Sequence, residues 1–307
     1  MSEEDRKADK LHQRIASFQR ETVAPEQVVA QAMTELERRL LGEHRKSHAS
    51  HRETAEHLKK IYAPFADLIS KDQRAVEGKR GLLEMVSRQA MQKRASPLSP
   101  PTKPFLTSGS ILSILTHPYD YQWTWGNQGG GGVAGEKVDK FTGDFGIEAS
   151  GNNGNTIASA GVGTAFHPIA ENELVRFSPL VDYSYQWGDI SHLDTAHNNA
   201  FIGVYIQQYD LTWQNPQAIL DHRISLWSDG TGWFEEHGDN SDGHLNDGNQ
   251  IGVQIYMPVS SSNNYIFWIW CSNSLDDGGN TDSIYWSRAQ AQLSAKVPFV
   301  VFEQFPG

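Results

Sequence analysis

Three histidines, His44, His48 and His51, stand four and three residues apart. At that spacing helical side chains line one face and can share a metal ion. Ser47-His-Ala-Ser50 lies among them and reads as a helix break, which would spoil the alignment and leave a solvated turn. A second group, Asp189, His192, Asp194 and His197, offers donors that suit a transition metal. Gly188 and Ser191 mark that stretch as a surface loop, where such residues gather without binding anything. Residues 237–249 and 273–282 are rich in Asp, Asn and Gly, the oxygens and the flexible chain that calcium requires. Asp239, Asp242, Asp276 and Asp277 are therefore candidate calcium ligands. Neither segment has EF-hand offsets, and Asx-turns give the same composition without an ion.

Covalent and nucleotide chemistry find less support. Gly130-Gly-Gly-Val-Ala-Gly135 fits a dinucleotide fingerprint in form, but Glu136-Lys-Val-Asp-Lys-Phe-Thr-Gly143 is too short and polar to open the helix such a site needs. It reads as a flexible glycine loop. G-x-S-x-G, H-E-x-x-H and C-x-x-C are absent, and the lone Cys271 sits in an aromatic run where a thiolate is poorly solvated. Glu235 and Glu236 are neighbours on an expected strand, so they point to opposite faces and cannot act as a glycosidase pair with each other. The chain leans away from being an enzyme.

Aromatic residues are the remaining candidates. Most of the nine tryptophans belong in a core, but Trp213, Trp227, Trp233 and Trp286 lie beside polar turns. An indole flanked by amides and carboxylates suits the mixed apolar and hydroxyl faces of a sugar, so these four are the candidate ligand-binding residues.

The elements that must position these groups fall into two unlike parts. Residues 1–95 carry a net charge of +4 and residues 96–307 a net of −15, and all nine tryptophans and 24 of 27 glycines lie in the second part. Ser96-Pro-Leu-Ser-Pro-Pro-Thr-Lys-Pro104 between them is a semi-rigid spacer. The first part reads as amphipathic helices: Leu11/Ile15/Phe18, then Val29/Met33/Leu36/Leu40 after Pro25, then a segment opening at the Ser50-x-x-Glu53 capping box, then one following Ser70. The apolar stripes are narrow, as in a bundle or a seam shared between chains.

After Phe105 the period changes to two. Tyr119/Tyr121/Trp123/Trp125 and Val181/Tyr183/Tyr185/Trp187 alternate with polar residues, and Tyr119-Asp-Tyr-Gln-Trp123 is echoed by Tyr183-Ser-Tyr-Gln-Trp187. Further strands are expected at 143–149, 156–166, 173–178, 200–209, 222–228, 231–236, 250–257, 264–271, 283–292 and 297–304. Tyr265–Cys271 is apolar on both faces and should be a central strand covered on both sides, or one facing a subunit interface. The expected fold is α plus all-β: a helical region over 1–95, a linker over 96–104 and an antiparallel, jelly-roll-like β-sandwich over 105–307.

Acidity argues against nucleic acid as a partner, and no stretch reaches the length of a membrane span. The N-terminus shows no apolar segment of a Sec leader, so synthesis in the cytoplasm is expected, with export by a leaderless route open. The reading is a non-enzymatic, homo-oligomeric binding protein, lectin-like or fibre-tip-like, with a carbohydrate ligand. Two alternatives are a leaderless toxin whose amphipathic helices act on membranes and a glycoside-cleaving enzyme.

Overall fold

The computed structural model describes residues 24–63, 111–129, 132–152, 154–171, 173–192, 194–233, 235–245, 253–277 and 286–305. The expected helices at 11–18 and after Ser70 and the 96–104 spacer lie outside these residues. One helix is described, α1 (Glu26–Tyr62). The Pro25 carbonyl accepts from the N–H groups of Val28 and Val29 at its start. α1 runs unbroken through Ser47-His-Ala-Ser50, which corrects the expected break there and joins two expected helices into one. Serine is only mildly unfavourable in a helix, and contacts on both sides of this stretch outweigh it.

Twelve strands follow among the described residues: β1 (Ile111–Thr116), β2 (Tyr121–Gln128), β3 (Val133–Asp139), β4 (Asp144–Asn152), β5 (Asn155–Phe166), β6 (Glu173–His192), β7 (Asp194–Asp210), β8 (Gln217–Trp233), β9 (Glu236–Leu245), β10 (Ile255–Val259), β11 (Asn263–Asp276) and β12 (Trp286–Phe305). They form two antiparallel sheets. The first runs β10-β6-β12-β4-β3, with β1 also on β12 and β9 also on β6; the second runs β2-β5-β11-β7-β8. Among the described strands the chain changes sheet eight times, and only β3–β4, β7–β8 and β9–β10 follow one another within a sheet; the inner faces of the two sheets share one apolar core. The expected β-sandwich is therefore present.

Several expected boundaries move. β6 fuses two expected strands, and β8 continues through the Asp229-Gly230 turn signal. Asp189 and His192, expected in a surface loop, lie at the end of β6, and Asp194 and His197 at the start of β7. Residues 237–245, expected as a loop, are strand β9, paired with β6 from Val181↔Leu245 to Ile190↔Glu236. The polar stretch after the glycine loop is β3, paired with β4.

β11 lies between β5 and β7 in the second sheet. Its inward residues Tyr265, Phe267, Ile269 and Cys271 join the core between the sheets, with Phe177, Phe302 and Val204. Its outward residues Ile266, Trp268 and Trp270 join a second cluster with Tyr121, Trp123, Tyr205, Tyr209 and the stripe Val29/Met33/Leu36/Leu40 of α1. The doubly apolar run is thus a central strand covered by a sheet on one face and a helix on the other. Gly163 pairs with Trp268, and a Cβ there would lie 2.8 Å from the indole; its absence gives the ring its place. The α1 stripe, expected as a seam between helices, is used on this sheet instead. Polar contacts border it: Trp123 Nε1 donates to Glu37 at 2.9 Å, Arg39 pairs with Asp221, and Arg223 pairs with Glu43 at 2.8 Å.

Candidate ligand-binding site

The repeated Tyr-x-Tyr-Gln-Trp motif lands in two different settings. On β2, Tyr121 and Trp123 face α1 and are buried. On β6, Tyr183, Tyr185 and Trp187 face the interior of the sandwich but remain half-buried. The difference lies in what stands opposite. β12 presents Ala295, Leu293 and Ala291 to these three residues, whereas β9 presents Gly243, Ser241 and Asp239. Small and polar residues on β9 do not close over the rings, and Asp239 and Ser241 are themselves exposed. A row of aromatic faces is left along the flank between β9 of one sheet and β8 of the other.

The row is ordered. Tyr183 and Tyr185 are parallel within 1° with centroids 6.2 Å apart. Trp227 of β8 sits behind, 4.8 Å from Tyr185 and 6.4 Å from Trp187. A Cβ on Gly243 would fall 2.6 Å from Tyr183 Oη, so the glycine is what allows the phenol to lie across β9. Tyr185 Oη donates to Asp239 Oδ2 at 3.4 Å. Burial and the nearby Asp239 carboxylate raise the Tyr185 phenol above its ordinary pKa, and burial with Asp242 does the same for Tyr183; both stay neutral donors at physiological pH.

A buried polar chain fixes the back of the row. Trp227 Nε1 donates to Asn198 Oδ1 at 2.9 Å, and Asn198 Nδ2 donates to Asp189 Oδ1 at 3.0 Å. Asn273 Nδ2 donates to Asn198 Oδ1, also at 2.9 Å. Asp189 is fully buried, and burial, with Asp229 and Asp277 nearby, pushes its carboxyl well above the usual range. A network whose members hold one another in place locks the indole plane.

The residues singled out in the sequence are dispersed. Trp227 belongs to the row. Trp213, with φ of 60°, packs on Tyr209 in the cluster under α1 and is buried. Trp286 opens β12 opposite His192 and lies parallel to its ring, centroids 6.1 Å apart. Trp233 ends β8, paired with Asp194. Asp239 and Asp242 are three apart on a strand and so point to opposite faces. Asp276 faces His48 and His51 at 2.9 and 3.1 Å, while Asp277 accepts from Gly154 N–H. Among the described residues no group of three or more His, Cys, Asp or Glu is arranged to hold a metal ion. Glu235 accepts from Gly232 N–H at 2.7 Å, a local turn role.

Tyr183, Tyr185 and Trp187 are candidate site residues that sequence reasoning assigned only to a strand. The signal was available: Asp239, Ser241 and Gly243 alternate with the same period of two, as a partner strand that leaves an aromatic face open must.

No family model matches the chain, and no curated protein does. Solved structures give distant likenesses. The infectious bursal disease virus Gx strain structure is 15% identical over 69% of this chain and 40% of that one, with a TM-score of 0.20; the chain thus spans about two fifths of that protein. The C-terminal family 22 carbohydrate-binding module of Clostridium thermocellum Xyn10B is 8% identical over 59% of this chain and 94% of the module, at 0.16. The family 11 module of Lic26A-Cel5E from the same organism is 7% identical over 58% and 86%, at 0.18.

Proposed function

We propose that this chain is a non-enzymatic binding protein whose jelly-roll-like sandwich recognises carbohydrate on the β8–β9 flank. The observation that carries this reading is the row Tyr183, Tyr185 and Trp187, backed by Trp227 and opposed by Asp239, Ser241 and Gly243. A sugar ring presents C–H groups to an aromatic face and hydroxyls to its rim. Tyr and Trp supply the apolar face with a polar tip, and exposed Asp239 and Ser241 supply acceptors beside it. Oriented polar groups next to an apolar floor are the usual make-up of a small-ligand site. Residues 1–95 would attach or assemble the protein as a homo-oligomer, through segments other than the α1 stripe already engaged on the sheet.

A screen of the full chain against immobilised polysaccharides and oligosaccharides tests the proposal. Binding that a Trp187→Ala change abolishes supports it. A screen without binders, or binding indifferent to Trp187, rejects it.

A further inference from the structure

α1 is held to the sandwich in two different ways along its length. From Ala24 to Leu40 the contact is apolar, with Val29, Met33, Leu36 and Leu40 on the outer aromatic cluster. From His44 to His51 it is made by imidazoles. His44 is buried and its Nδ1 is bonded to Ser274 Oγ. His48 Nδ1 lies 2.9 Å from one oxygen of Asp276, and His51 Nδ1 lies 3.1 Å from the other. The His51 ring also stacks on His197 of β7, with centroids 3.3 Å apart and planes within 6°. Four imidazoles thus meet at one place, and Asp276 contacts two of them, His48 and His51.

The groups facing this cluster come from every neighbouring element. α1 contributes the three histidines, β5 Asn155, whose side chain favours the protonated form of His44, β7 His197, and β11 Asp276. Asp229 of β8 acts on His197 and is itself bonded to His237 of β9 at 2.6 Å. Stacked face to face, the His51 and His197 rings tolerate each other as neutral rings and repel as imidazolium ions. Asp276 and the more distant Asp229 are fewer carboxylates than there are imidazoles gathered here.

We propose that this cluster is a proton-operated latch: acidification releases the second half of α1, from His44 onward, from the sandwich, while the apolar first half stays docked. The titration fits the geometry. Burial, then His51, pushes His197 down from 6.5 to about 4, and burial also lowers His44. An imidazole whose pKa falls on docking favours the docked helix fully above the free value, and that preference is lost as pH falls from about 6.5 towards 4. Asp276, held low by His51 and His48 despite its burial, adds its own loss only below that window. With His197 partly exposed, screening trims its share, and docking should weaken by roughly 10- to 30-fold across the window.

Hydrogen exchange on the full chain between pH 7.5 and 4.5, expressed as protection factors, reads the latch directly. Amides of residues 44–62 are expected to lose about ten-fold or more in protection on acidification, and those of 28–40 less than about three-fold. His51→Phe keeps a stacked ring without a titrating nitrogen and should shrink the loss. Asp276→Asn removes the compensating charge and should move the loss to higher pH, a result that stands even where His51→Phe loosens the helix at pH 7.5. Uniform, pH-independent protection along α1 would overturn the proposal, as would an unchanged loss in both variants. So would strong protection of residues 44–62 by added zinc at pH 7.5, which would make the cluster a metal centre.

Discussion

Truncating Leu36 to alanine probes the join between α1 and the second sheet. Leu36 is 1% exposed and sits in the cluster that includes Trp268, Trp270 and Tyr205. Leucine-to-alanine changes in a core cost about 2 to 5 kcal/mol, the spread reflecting how far the site collapses. A helix lying on one face of a sheet can settle towards the gap, so about 2 to 3 kcal/mol is expected. At about 2 to 4 °C per kcal/mol for a body of this size, melting should fall by roughly 4 to 12 °C. Circular dichroism at 222 nm and tryptophan fluorescence follow helix and sheet separately. Arg38→Ala is the control, because its side chain is 69% exposed; it should shift stability by less than about 0.5 kcal/mol. If Leu36→Ala melts like the parent, α1 does not dock through this stripe. The stripe would then be free for another chain, as the sequence pattern alone allowed.

Three further outcomes follow from buried groups and one tight contact. Asp189→Asn should melt at or above the parent temperature at pH 7, because an amide keeps the oxygen that Asn198 bonds and has no charge to desolvate. The sign follows from the raised carboxyl: it favours the fold below the free pKa of 3.8 and loses that contribution as pH rises, so the variant should also flatten the decline above that value in thermal melts. Cys271 is fully buried with its thiol pushed up by burial, so a thiol reagent should label it only after denaturant is added. Gly243→Ala should leave the far-ultraviolet spectrum unchanged yet displace Tyr183, costing about 1 to 2 kcal/mol in urea titrations, as overpacking does.

Periodicity revealed the sandwich because alternation of apolar and polar residues is a local property, visible in Tyr183/Tyr185/Trp187, as is the unbroken apolar run Tyr265–Cys271 that marks a strand covered on both faces. What it could not reveal was governed by partners far along the chain. Residues 237–245 resemble a loop in composition, and they are a strand because β6 offers an edge to pair with. Ser47-His-Ala-Ser50 resembles a break, and it stays helical because Ser274 and Asp276, more than 200 positions later, engage His44 and His51 on either side and His48 within it. The stripe at Val29/Met33/Leu36/Leu40 was legible as buried, but not which surface buries it, since a sheet face and a second helix demand the same residues. Tryptophans beside polar turns did not mark the flank either: Trp213 follows a strand end and is covered, whereas Trp187 lies mid-strand and is half-open because its neighbour across the ladder is Asp239.

The central claim is that the flank between β8 and β9 binds sugar through its aromatic row, and calorimetric titration of the ligand found by glycan screening tests it most directly. The parent is compared with Tyr185→Ala, since Tyr185 touches Tyr183, Trp227 and Asp239 at once. The account predicts a loss of about 2 kcal/mol or more in binding, roughly thirty-fold in affinity, as for a central aromatic anchor, with melting lowered only modestly. Equal affinity in the two proteins, with both still folded, would contradict it.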